Sequence, residues 1–136
     1  MQIKFGLSKD EILRGYNAFK EAMDSSVSVN GKYISLITKI IESESFNKSP
    51  QIKVGFMLSK KKIPSAVRRN TLRRQLKEIY RLNKAQLSVP ENKSLIILFS
   101  VNSSCAYIIR KEKKAEYQIL EKDILESFQK INSMLA

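Results

Sequence analysis

Ten of the residues at positions 60–84 are lysine or arginine and only Glu78 is acidic, so this stretch holds +9 of the chain's net +12. Guanidinium groups at such density fork onto phosphate oxygens or base edges, and ammonium groups act as point charges, so the chemistry on offer is neutralisation of a polyanion. The charge is a local object, because the rest of the chain is close to balanced. Bond-making chemistry has little to work with. There is no histidine and one cysteine, Cys105, which removes the commonest general base, any Ser-His or Cys-His pair, and a thiolate zinc site. Four glycines supply no Walker or Rossmann phosphate loop. Asp10 with Glu11 reads as a helix cap, and Glu42 with Glu44 falls in a loop, neither with further ligands beside it. No catalytic residue and no metal site is assigned to the polypeptide.

The cations need an element to hold them on one side, and the sequence supplies a helix. Pro64 and Ser65 form a start signal with Ser65 as N-cap, and nothing in residues 66–83 breaks a helix. At 3.6 residues per turn, Arg69, Asn70, Arg73, Arg74, Lys77 and Arg81 fall within an arc of about 140°. Leu72, Leu76 and Ile79 form a separate stripe of about 60° that can face a core. A solvated helix face usually interleaves signs, whereas Glu78 lies off this arc. Basic amphipathic helices also suit membrane surfaces or calmodulin-like partners, which want a broad apolar face free to insert; this stripe is narrow.

The remaining chain reads as a scaffold. Ser8 to Glu11 has the spacing of a capping box, with Leu7 and Ile12 at staple positions and Ile12, Tyr16, Phe19 and Met23 as one stripe of a first helix. Asn30-Gly31 predicts a turn joining strands at 26–29 and 32–41. Residues 52–59 alternate as a strand that runs into the lysine turn. Residues 94–101 form a continuous apolar run, expected as a buried central strand. Residues 102–113 have no clear pattern, with 106–109 either extending the sheet or packing on it. Tyr117, Leu120, Ile124, Phe128, Ile131 and Leu135 mark a terminal amphipathic helix. The length suits one domain over residues 1–136 with a modest core, an α+β fold with a single four-stranded sheet and helices in the order α-β-β-β-α-β-α. A single cysteine, no apolar run near roughly 18 residues and no signal pattern at the N-terminus give the expectation of a cytoplasmic protein.

The segment VGFMLSKKK followed by AVRRNTLRRQLKEIYR resembles the signature of the protein subunit of bacterial ribonuclease P. The likeness runs through Ser59, Lys60, Lys61, Ala66, Val67, Arg69, Asn70, Arg73, Arg74, Lys77, Glu78 and Arg81, and the order of segments is similar over most of the chain. It departs at Pro64, where glycine is common in the family, at Lys77, where arginine is usual, and at 102–113, which looks like an insertion. The resemblance implies a left-handed β-α-β crossover around the basic helix. It also implies a catalytic RNA partner that performs magnesium-dependent release of the 5′ leader of precursor tRNA. Protein-bound cofactors, membranes and small-molecule substrates are not expected; the Mg2+ belongs with the RNA. Arg69, Asn70 and Arg74 would face the catalytic RNA, Arg73 and Lys77 the adjoining leader cleft, Lys60, Lys61 and Lys62 would neutralise phosphate at the turn, and Arg81 is a further RNA-binding candidate. A single-strand cleft also uses aromatic platforms beside cations. Tyr16, Phe19, Tyr33 and Phe56 are the candidates to stack leader bases, and each also sits on an apolar stripe where core packing is the alternative. A non-catalytic RNA-binding protein of ribosome or RNA assembly would use the same surface.

Overall fold

The computed structural model describes residues 11–13, 16–42, 52–112 and 114–136, with the side chains of Tyr16 and Asn17 excepted. Helix α1 (Tyr16–Met23) leads into β1 (Val27–Asn30) and β2 (Ile34–Glu42); β3 (Ile52–Met57), α2 (Ala66–Asn83), β4 (Lys93–Val101), α3 (Ser103–Glu112) and α4 (Tyr117–Leu135) follow. The four strands lie in the order β1-β2-β4-β3. β4 is antiparallel to β2 and parallel to β3, so α2 is the crossover of a β3-α2-β4 unit. The α+β class and single mixed sheet are those expected, with one helix more than the expected order.

Residues paired across strands point to the same face of a sheet. Ile34, Leu36, Val54, Leu95, Ile97, Phe99 and Val101 thus share one face, and all are buried. Against it pack Leu72, Leu76, Ile79 and Tyr80 of α2 and Leu120, Ile124, Phe128, Ile131 and Leu135 of α4, forming one core. Tyr80 meets the edge of Phe99 at 6.2 Å between ring centroids, and Phe56 stacks on the same ring at 5.2 Å. The opposite face carries α1. Gly55 lies there, and a Cβ on it would stand 2.8 Å from both the Phe19 ring and Leu98, so only glycine lets α1 approach this closely.

The N-terminal region departs from the expected long helix. Ile12 forms a parallel bridge with Val54, and the Leu13 N–H donates to the Val54 carbonyl at 2.7 Å. Main-chain pairing with the edge of β3 thus replaces a helical turn at Ile12. Glu11, expected to close a capping box, instead accepts from Lys84 Nζ at 2.9 Å. Leu7, Ser8 and Asp10 of that expected cap and staple lie outside the described residues.

The β1–β2 connection also differs. Gly31 N–H bonds to the Ile34 carbonyl at 3.0 Å, which centres the turn on Lys32 and Tyr33 rather than on Asn30-Gly31. The cause is Asp123 on α4, whose carboxylate accepts from the backbone N–H of Lys32, Tyr33 and Ile34 at 2.7, 3.0 and 2.9 Å. Asn102 holds the same turn from the other side: its amide donates to the carbonyls of Gly31 and Lys32, while its Oδ1 accepts from Cys105 N–H and so caps α3. Residues 102–113, with no clear pattern in the sequence, thus begin as a helix tied to the sheet, with Cys105, Ala106 and Ile109 buried.

Asp123→Ala leaves three amide donors without their acceptor and is expected to lower stability by about 2–4 kcal/mol, measured by urea denaturation. Gly31→Ala should destabilise through the same contact, because its Cβ would meet Asp123 Oδ2 at 2.5 Å. Burial, and secondarily the charge of Asp123, pushes the Cys105 thiol up to about 12. Iodoacetamide at pH 8 should therefore leave Cys105 unmodified in the folded chain and alkylate it in urea; rapid native labelling would contradict this packing.

Candidate nucleic-acid interface

Two neighbouring surfaces carry the candidate residues, one on each face of the sheet, joined by the turn at residues 59–65. The turn is built locally. Ser59 Oγ accepts from Lys61 N–H at 3.1 Å, the Ile63 N–H returns to the Ser59 carbonyl at 2.9 Å, and the Ile63 side chain is fully buried as its anchor. Ser65, in an extended conformation, accepts from Arg68 N–H at 3.3 Å and starts α2 as the sequence predicts.

Burial of Leu72, Leu76, Ile79 and Tyr80 turns the cationic arc of α2 away from the core. Asn70 and Arg74 are exposed, and Arg69, Arg73, Lys77 and Arg81 are half-buried along the same side. The cations are not equivalent, however. Arg69 spends one guanidinium nitrogen on the carbonyls of Ile63 and Pro64, at 2.8 and 2.9 Å, and so braces the turn. Arg73 donates to Asn70 Oδ1 at 2.6 Å, making those two a unit. Arg81 grips Glu78 through two hydrogen bonds, one from Nε at 3.1 Å, and these hold the Glu78 carboxyl below its ordinary value. Glu78 is off the arc in projection yet reaches it, a contact of i,i+3 type that a wheel drawn at Cα positions does not show. Lys60 and Lys61 are exposed at the turn, whereas Lys62 extends its Nζ to the Val101 carbonyl at 2.7 Å.

On the opposite face a groove of about 530 Å³ opens between α1 and the end of β3. Phe19, Lys20 and Met23 form its α1 wall; Met57 and Ser100, paired across β3 and β4, lie at its floor. Lys62 and Ser59 close the end nearest the turn. Phe56 borders the groove from edge strand β3, while its ring lies on the α2 side, stacked on Phe99 with Lys77 Nζ 5.9 Å from its centroid. Of the four aromatic candidates Phe19 and Phe56 thus both border the groove, Phe19 from α1 and Phe56 from β3 with its ring turned to the other face of the sheet. Tyr33 stands elsewhere, against α4 with Lys32 Nζ 5.4 Å from its ring and Asp123 on its N–H. The Tyr16 side chain lies outside the described residues.

Arg73 and Lys77 do not line the groove; its cations are Lys20 and Lys62. Lys20 escaped the sequence reading because it stands among residues of both signs, and its only signal was its place one residue after Phe19 on an amphipathic helix. Among the described residues no three carboxylate or cysteine side chains gather as metal ligands, and no helix is long and apolar enough to cross a membrane.

Comparison with known proteins places this geometry. A ribonuclease P protein component from Chlorobium phaeobacteroides is 40% identical over 81 residues, 60% of this chain. The match spans 56% of that relative, little over half its length. The fold is similar to that of the RNase P protein from Thermotoga maritima, with a TM-score of 0.63 and 18% identity over 82% of this chain and 89% of that one. It is also similar to the Staphylococcus aureus RNase P protein, with a TM-score of 0.64 and 16% identity over 93% of this chain and 98% of the other. The family model for Ribonuclease P matches residues 7–132. With nearly the whole domain so matched, the chain belongs to the ribonuclease P protein family.

Proposed function

We propose that this chain is the protein component of a ribonuclease P holoenzyme. In this reading it binds the catalytic RNA through α2 and the lysine turn, holds the 5′ leader of precursor tRNA in the groove beside α1, and works in the cytoplasm. The observation that carries the proposal is the rotation of α2, which buries one side in the core and leaves Asn70, Arg74 and their neighbours outward with one acid, Glu78, among them. Like charges at i,i+4 on that side repel by about 0.2–0.5 kcal/mol per pair, and phosphate relieves the repulsion.

The roles follow from the contacts. Arg74 is free to fork onto phosphate, and the Asn70–Arg73 unit presents a paired amide and guanidinium. Arg69 acts partly by holding the turn that carries Lys60 and Lys61. Arg81 must exchange Glu78 for RNA before it contributes its full charge. In the groove, Phe19 offers a face to an unstacked leader base, and Lys20 and Lys62 sit beside the path of its phosphates. The Mg2+ of the reaction is assigned to the RNA, and no step of bond cleavage is assigned to a protein side chain.

Mixing the purified chain with its cognate catalytic RNA at low magnesium should raise cleavage of precursor tRNA; salt-sensitive RNA binding with no gain in cleavage would favour a non-catalytic assembly protein instead. Arg74→Ala should weaken RNA binding and reduce the log–log salt slope by about one unit. Arg69→Ala should weaken binding at least as much, with greater protease sensitivity at the 59–65 turn as a second readout. Phe19→Ala should reduce affinity for precursor tRNA bearing a leader while sparing mature tRNA, by roughly 1–3 kcal/mol if one base stacks there.

A further inference from the structure

Helix α3 is the element for which neither the basic face of α2 nor the groove accounts. Its buried side is narrow, made of Cys105, Ala106 and Ile109. On its outward side, within about 120° at 3.6 residues per turn, lie Ser103, Ser104, Tyr107, Arg110 and Lys111, all exposed. Glu112 projects to a different side, beyond this arc. Tyr107 is 57% exposed, which is unusual for a large aromatic on a short helix with a core beneath it. Lys111 Nζ lies 5.6 Å from the ring centroid and 3.3 Å from the phenolic oxygen, so the ammonium stands beyond the hydroxyl end and leaves the middle of the ring uncovered.

The position of α3 is fixed relative to α2. Arg68 reaches from the first turn of α2 to the Arg110 carbonyl at 3.2 Å, and Gln75 donates to the Ala115 carbonyl at 2.9 Å. The C-terminal turn of α3 therefore lies beside the N-terminal half of α2, with 73%-exposed Val67 next to Arg68. An aromatic face flanked by Arg110 and Lys111, held against a helix of the same charge, has the composition of a stacking platform for single-stranded nucleic acid.

We infer that Tyr107, with Arg110 and Lys111, is a second RNA-contact site that stacks one unpaired base of the same RNA held by α2. The inference rests on the RNA-binding reading above. The cations hold the flanking phosphates and the ring supplies a contact insensitive to salt, so the two parts separate experimentally.

The test uses the full chain and its cognate catalytic RNA transcribed in vitro. Tyr107→Ala should weaken binding about tenfold with an unchanged salt slope, and Tyr107→Phe should bind as the parent. Lys111→Ala should lower the salt slope by about one unit. Because the chain contains no tryptophan, Tyr107→Trp adds a single reporter whose emission should be quenched on RNA binding, even if the alanine variant folds poorly. Parent-like affinity for Tyr107→Ala, or unquenched emission from Tyr107→Trp, while Arg74→Ala still weakens binding, overturns this site and leaves the main reading standing. A change in self-association in place of RNA affinity for Tyr107→Ala also overturns it, in favour of a contact between copies. If Arg74→Ala and Tyr107→Ala both bind as the parent, it is the RNA-binding reading that fails.

Discussion

The burial of Leu72, Leu76, Ile79 and Tyr80 sets the rotation of α2 about its axis, and the direction of every cation on that helix follows from it. The magnitudes favour this setting decisively. Each such side chain gains roughly 1.5–3 kcal/mol on leaving water, whereas the i,i+4 repulsions Arg69–Arg73, Arg73–Lys77 and Lys77–Arg81 cost roughly 0.2–0.5 kcal/mol apiece. The core can therefore hold like charges together without an anion present. Phe99 is the hub of this arrangement, touching Tyr80 from the helix and Phe56 from the neighbouring strand.

Charge count and available charge differ on this surface. Arg69 and Lys62 are engaged with main-chain carbonyls and Arg81 with a carboxylate. These bonds fix the shape of the turn and the ends of the face, leaving Arg74, Lys60 and Lys61 as the groups with fewest obligations among the described residues. Engaged and loosely held cations thus stand side by side, Lys62 next to Lys60 and Lys61 at the turn and Arg73 next to Arg74 on the helix, so the shape of the surface is fixed while part of its charge stays adaptable.

Much of this was readable from residue types. The Ser65 cap and the spacing of Leu72, Leu76 and Ile79 gave the helix over residues 66–83, and its observed bounds are the same. The unbroken apolar run at 94–101 marked the central strand because a strand covered on both faces needs no alternation; it begins one residue earlier, at Lys93. What the sequence hid was tertiary. Ile12 has the right spacing for a helical stripe, but β3 offers an unpaired edge that takes its backbone instead. The grip of Asp123 on Lys32, Tyr33 and Ile34 joins residues about ninety positions apart, and no local pattern reports it. Helix α3 had one usable signal, Asn102 ahead of two serines, obscured by a buried side made of small residues. Within the site, residue type alone did not separate Phe19 and Phe56, which border the groove, from Tyr33, which stands against α4, because exposure along an apolar stripe is decided by what packs on it.

The bridge from Ile12 to Val54 has a bearing on how such a chain behaves alone. β3 is the outer strand on its side of the sheet, and a bare outer strand is a template onto which a neighbouring molecule can zip. Here the chain lays its own backbone along part of that rim, and the Glu11–Lys84 pair fastens the laid segment down. The protein thus carries its own selvage, a finished border along which a second copy finds less backbone to knit onto.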